Sequence, residues 1–143
     1  MVDDMGVYII DTYYDVRKGE YDKAINELEK SSAGSAIQLL NEWESIKKKD
    51  RLYLLKRKLL LRLSENLHKQ SKYKELAYWS KKWLAMDERD VTAMAFYYQA
   101  LLHLDQTREE GVKGMINAYR KFPDNKYLKR FYNTYRKNNS EGL

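Results

Sequence analysis

The chain has 143 residues, of which 43% are hydrophobic and 34% charged, with one Pro, six Gly, no Cys, thirteen Tyr and a formal net charge of +6. The absence of Cys excludes disulfide frameworks, thiolate metal sites and Cys nucleophiles, and fits a reducing, intracellular compartment. One Pro and six Gly are too few for a turn-dense all-β sandwich, and the length suits a single domain that buries about two-thirds of its unfolded surface.

The N-terminus, Met1-Val2-Asp3-Asp4, is acidic where a signal peptide would be basic. The longest uncharged run, Val91 to Leu104, contains Gln99 and His103 and falls short of the roughly 20 residues needed to span a bilayer. The expectation is a cytoplasmic chain with no membrane partner. Charge is uneven. Residues 1–50 carry seven Lys/Arg against eleven Asp/Glu (net −4), residues 51–100 carry a net +6, and residues 101–143 a net +4. Such an imbalance suits a nucleic-acid surface, and it equally suits oppositely charged parts that pack on each other or on neighbouring chains.

Breakers and periodicity predict helices at about 4–17, 20–30, 35–46, 50–69, 73–86, 90–104, 107–121 and 125–137, with 138–143 as a flexible tail. Asp3, Asp4, Asp11 and Asp15 sit near the first helix start, where carboxylates compensate the helix dipole. Val7 to Ile10 favours strand but runs into Asp11 to Val16 without a turn, so it reads as helix. Arg17-Lys18-Gly19-Glu20 marks the first break, and Ser35 is placed to cap a helix beginning at Ala36. Leu52, Leu55, Leu59, Leu63 and Leu67 recur at three and four, which makes one apolar stripe. Asp90 or Thr92 can cap the helix holding Ala93, Phe96, Tyr97, Ala100, Leu101 and Leu104. Thr107 with Glu110 has the spacing of a capping box. Val112, Met115, Ile116 and Tyr119 form the next stripe, Pro123 closes it at Phe122, and Tyr127, Leu128, Phe131, Tyr132 and Tyr135 form the last.

Several features repeat. Ser71 and Gln106 open turns 35 residues apart, and so do the pairs Leu67-His68 and Leu102-His103. Asp87-Glu88-Arg89-Asp90 and Phe122-Pro123-Asp124-Asn125 close helices at the same separation. A period of 34–35 with helix–turn–helix resembles tetratricopeptide repeats. Tyr73 to Asp87 and Gly111 to Asn125 look like second helices of such repeats, with Gly111, Met115 and Ala118 at small or well-packed positions. Gly19-Glu20-Tyr21-Asp22-Lys23-Ala24 looks like the same turn in a first pair. Leu76 and Trp83 depart from the family's small residues, Glu88 from its Pro, and Gln99 from its frequent Gly. The spacing from Gly19 to Ser71 implies a helix at about 35–46 inserted between repeats. That layout, with Glu42-Trp43 before a basic stretch and Arg108-Glu109-Glu110 leading to Tyr119, resembles the bacterial transcriptional activator domain over about residues 8–135. The resemblance implies an all-α, right-handed antiparallel helix-pair stack of about eight helices in one domain, 1–143, with the helix at about 125–137 as its C-terminal cap. It also implies a module that mediates protein contacts beside a winged-helix domain, which is not present in these residues.

Little in the chain suits catalysis. His68 and His103 are the only histidines, near helix ends where each can meet free carbonyls. No HExxH, GxSxG, EF-hand or phosphate-loop pattern occurs. No catalytic residue, cofactor or metal is expected. Lys47, Lys48, Lys49 and Arg51, continuing into Lys56, Arg57, Lys58 and Arg62, form one basic cluster. Lys126, Lys129, Arg130, Arg136 and Lys137, interleaved with Tyr127, Phe131, Tyr132 and Tyr135, form another. They suit phosphate contact with base stacking, but the aromatics fall at core spacing, which favours solvated faces opposite packed ones. In stacked helix pairs the first helices line a concave, peptide-binding side, where the resemblance places Arg57, Asn66, Met94, Tyr98, Gln99 and Leu102. The expected function is a non-enzymatic protein–protein interaction module, the regulatory or oligomerisation domain of a bacterial transcriptional regulator. Its partner would be a protein, a peptide or a second copy. The alternatives are direct nucleic-acid binding through the basic residues of 47–137, with Lys47, Lys48, Lys49, Arg51, Lys129, Arg130 and Arg136 as contacts, and a stand-alone scaffold or adaptor unrelated to transcription.

Overall fold

A computed structural model describes the backbone of residues 2–140 and the side chains of residues 13–139. Among these it contains seven α-helices, one 3₁₀ turn and no strand. The helices are α1 (Val2–Glu29), α2 (Gly34–Glu42), α3 (Tyr53–Lys69), α4 (Tyr73–Met86), α5 (Val91–Leu102), α6 (Arg108–Lys121) and α7 (Lys126–Ser140), with the 3₁₀ turn at Asp105–Thr107. The chain forms two compact units, residues 1–66 and 67–143, divided near the end of α3.

In the first unit the expected break at Gly19 is absent, and the two helices predicted over 4–17 and 20–30 are one helix of 28 residues. That leaves seven helices rather than eight. Glycine inside a helix costs only about 1 kcal/mol relative to Ala. Here two ion pairs bracket it, Arg17 with Glu20 at 3.1 Å and Lys18 with Asp22 at 3.6 Å. The real stop is twelve residues later. Ser31 adopts a left-handed φ of 64°, the Ser32 N–H donates to the Glu27 carbonyl at 2.9 Å, and the Ser31 N–H donates to the Leu28 carbonyl. This is a Schellman closure with serine where glycine is usual. The expected cap at Ser35 is also corrected, because α2 starts at Gly34 and has no side-chain cap.

The helix expected over 35–46 ends at Glu42. Trp43, Ile46 and Leu52 are buried in the connection to α3. Lys56 explains how that connection is held. It is only 7% exposed, and its Nζ donates to the Ile46 carbonyl at 2.8 Å and the Glu44 carbonyl at 3.2 Å. A buried ammonium needs such partners, so Lys56 belongs to the frame and not to a basic surface. All five leucines of the α3 stripe are buried, and Ala24, Leu28, Ala36, Leu39 and Leu40 supply buried side chains from α1 and α2.

The second unit is built around α5, which packs on α4, α6 and α7. Thr92, Ala93, Ala95, Phe96, Gln99, Ala100, Leu101 and Leu102 are all buried, a spread wider than one amphipathic stripe because three helices cover it. α3 ends in the same closure as α1, with Ser71 at φ 57° and the Lys72 N–H donating to the Leu67 carbonyl. Asp90 caps α5 as expected, accepting from the Ala93 N–H. Thr107 does not form the expected capping box. It makes no cap bond to α6, and its Oγ1 donates to the Leu101 carbonyl at 2.9 Å, satisfying the free C-terminus of α5 instead. α6 approaches α5 through glycine, since a Cβ at Gly111 would run into the Leu101–Leu102 backbone and one at Gly114 into the Tyr98 ring. Pro123 follows α6, and Asn125 caps α7 by accepting from the Tyr127 and Leu128 N–H groups at 3.1 Å. α7 is buried through Leu128 and Phe131 and continues to Ser140, beyond its expected end at 137. Residues 141–143 of the expected tail, and the side chains of Asp3, Asp4 and Asp11, lie outside the described residues.

Candidate functional site

The polar centre of the second unit is Gln99. Its side chain is almost wholly buried on α5, and its amide nitrogen lies 3.1 Å from His68 Nε2 and 3.3 Å from His103 Nε2. A primary amide has two hydrogens, so this nitrogen donates to both rings when each Nε2 is bare, which makes both imidazoles neutral with the proton on Nδ1. Burial pushes the His68 pKa below its ordinary value, and the nearby Arg130 guanidinium and then His103 disfavour its charged form further. Burial and then Arg108 do the same for His103. Aromatic rings fix both imidazoles. Tyr73 stacks on His103 with centroids 4.3 Å apart and planes at 10°, and Phe131 lies 4.8 Å from His68. The expected helix-end carbonyl contact of each histidine gives way to this bridge: His103 serves as the C-cap residue of α5 through its backbone, while its ring turns to Gln99.

A pocket of about 120 Å³ opens beside this cluster, between α5, the start of α6 and α7. Gln99, His103, Arg108, Tyr135, Asn138 and Asn139 line it, and no carboxylate does. Glu109 and Glu110 line a separate open groove with Tyr98 and Gly114.

The six residues expected on a concave face are dispersed in role. Arg57 is half-buried in the first unit, and Asn66 there donates to the Leu28 carbonyl at 3.2 Å, closing the end of α1. In the second unit Gln99 and Leu102 are buried, Met94 is half-buried, and Tyr98 lies against Gly114. The expected nucleic-acid contacts fall into two groups. Lys47, Lys48, Lys49 and Arg51 are exposed in the α2–α3 connection, with Arg51 over the Tyr14 ring at 4.2 Å. Lys129, Arg130 and Arg136 are exposed on α7.

Net charge follows the units. Residues 1–66 hold twelve Lys/Arg and twelve Asp/Glu, and residues 67–143 hold fifteen and nine, so the +6 belongs to the second unit. The outer face of α7 concentrates it: Lys126, Lys129, Arg130, Arg136 and Lys137 are all exposed, and α7 contains no Asp or Glu. Three of its four aromatic rings are engaged in packing. Tyr132 stacks on Tyr119 with centroids 4.1 Å apart, Tyr127 packs on Phe96, and Phe131 is buried.

The Gln99 bridge was only partly legible in the sequence. The i,i+4 spacing of Gln99 and His103 was visible, but His68 reaches them only through the packing of α3's end on α5. Nothing in the sequence pointed to Arg108, Asn138 and Asn139 as neighbours of this bridge. Among the described residues no group of three metal-ligating side chains occurs, and no helix is long and apolar enough to cross a membrane. No protein-family model, no curated protein and no solved structure matches the chain.

Proposed function

We propose that the chain is a non-enzymatic interaction module that engages an acidic protein surface through the outer face of α7. The observation that carries this is the five exposed cations on one helix without a carboxylate among them. Such a face steers and orients an oppositely charged partner more than it contributes raw affinity. The packing of Tyr127, Phe131 and Tyr132 favours protein over single-stranded nucleic acid, because base stacking needs free ring faces. Tetratricopeptide-like stacking of helix pairs is supported by the close approach of α5 and α6 at Gly111 and by the matching closures at the ends of α1 and α3. The regulatory role, in a transcriptional regulator, rests on the sequence resemblance to the activator domain.

The test compares the wild-type chain with a Lys129→Glu/Arg136→Glu variant, both exposed sites, in light scattering for self-association and in capture of partners. Wild-type capture or self-association that the variant loses supports the proposal. A strict monomer that captures nothing, or capture indifferent to charge reversal, overturns it. A mobility shift with DNA or RNA at about 50 mM salt that fades steeply as salt rises reassigns the face to nucleic acid.

A further inference from the structure

We propose that the pocket between α5, α6 and α7 is a binding site for a small anion, a carboxylate or a tetrahedral oxyanion, held by Arg108, His103 and Asn138. Its volume of about 120 Å³ is several times the roughly 10–15 Å³ that a single water needs, which leaves room for such an ion. The lining offers a guanidinium, an imidazole, a phenol and three carboxamides, and no carboxylate competes for them. The acidic neighbours of Arg108 in the chain, Glu109 and Glu110, line a different groove.

The charged and titratable groups around the two imidazoles come from every element packed there: His68 at the end of α3, Tyr73 on α4, His103 at the end of α5, Arg108 on α6, and Arg130 and Tyr135 on α7. The charges acting on the rings are positive. A positive site without a counter-charge is where an anion gains most.

The same geometry links binding to protons. An anion beside His103 favours the imidazolium. Once His103 Nε2 carries a proton, a half-turn of the Gln99 amide presents its oxygen as an acceptor to that ring, and neutral His68 matches it by carrying its own proton on Nε2. Binding therefore takes up a proton and tightens as pH falls.

The experiment follows the histidine and carboxamide NMR signals of the full chain while sulfate or acetate replaces chloride at constant ionic strength. Sulfate stays a dianion between about pH 5.5 and 7.5, so its own titration does not intrude. The expected result is saturable shifts of His103 and Asn138 with one of the two probes at low millimolar concentration, tighter at about pH 5.5 than at 7.5. Saturation by sulfate assigns an oxyanion, and saturation by acetate a carboxylate. Arg108→Gln, at an exposed position, should weaken binding about tenfold, and Asn138→Ala provides a second exposed variant. Glu109→Gln should leave affinity unchanged. Shifts that grow linearly with both probes up to about 50 mM, or equal affinity in the wild type and both pocket variants, overturn the proposal.

Discussion

At the scale of the residue, Asp90 has two tasks. One carboxylate oxygen accepts the Ala93 N–H and caps α5, and the other accepts the Trp83 Nε1–H at 2.9 Å. Trp83 is fully buried, so its indole donor has no route to water. Asp90→Ala removes a cap worth about 1 kcal/mol and strands a buried donor at about 1–3 kcal/mol. Urea unfolding followed by tryptophan fluorescence should show a loss of roughly 2–4 kcal/mol from these two effects. Asp90→Asn, which keeps an acceptor oxygen, should cost less. The cap was legible because Asp stands immediately before an apolar periodic run. The indole contact was not, because seven residues of chain must first turn back from α4 to α5.

At the scale of the element, the break at Gly19 shows how a local signal yields to its neighbours. No atom outside the helix lies within 4 Å of where a Cβ at Gly19 would stand, and its φ is negative. Gly19→Ala should therefore stabilise the chain by about 0.5–1 kcal/mol, readable as a rise in melting temperature. A fall would restore the expected turn. In α6 the buried residues are Gly111, Met115 and Ala118, the positions expected to be small or well packed, while Val112, Ile116 and Tyr119 of the expected stripe are only half-buried. Ala118→Glu should unfold the second unit by burying an unpaired charge, and a variant with native circular dichroism and hydrogen exchange in α5 would refute that register.

The joining of α3, α5 and α7 through the histidines has its own signature. Both folded-state pKa values lie below the ordinary 6.5, so the neutral rings stabilise the fold fully above that value. Stability should fall as pH drops from about 6.5 through the lowered values, with more coming from half-buried His68 than from the more exposed His103. Melting curves of wild type and His68→Gln between about pH 7.5 and 5 should diverge in slope, with the variant flatter.

At the scale of the whole molecule, the charge division changes what the basic pI of 9.3 means. The acidic first third read from the sequence is balanced within residues 1–66, and the excess of six positive charges lies in residues 67–143. Self-repulsion in the second unit is screened by salt. Raising NaCl from about 20 to 200 mM, across which the Debye length shortens to under 10 Å, should slow hydrogen exchange in α5 and leave α2 unchanged. Slowing in both alike would show that the charges do not act unit by unit. The thirteen tyrosines also read differently at this scale. Among the described residues only Tyr53 is buried, while most of the other tyrosines are half-buried, as suits an aromatic with a polar tip.

The sequence by itself determined the helices, their apolar faces and most of their ends. Period, caps and breakers act over a few residues, and Leu59, Leu63, Asp90 and Pro123 needed no distant partner to be read. Tertiary packing decided the rest. It carried α1 through Gly19, took Lys56 out of the basic surface to hold a loop, turned Thr107 toward α5, and brought His68 to Gln99 across 31 residues of chain. Each of these sets a modest local preference, of order 1 kcal/mol, against hydrogen bonds or burial worth as much or more, and only the folded neighbours determine which prevails.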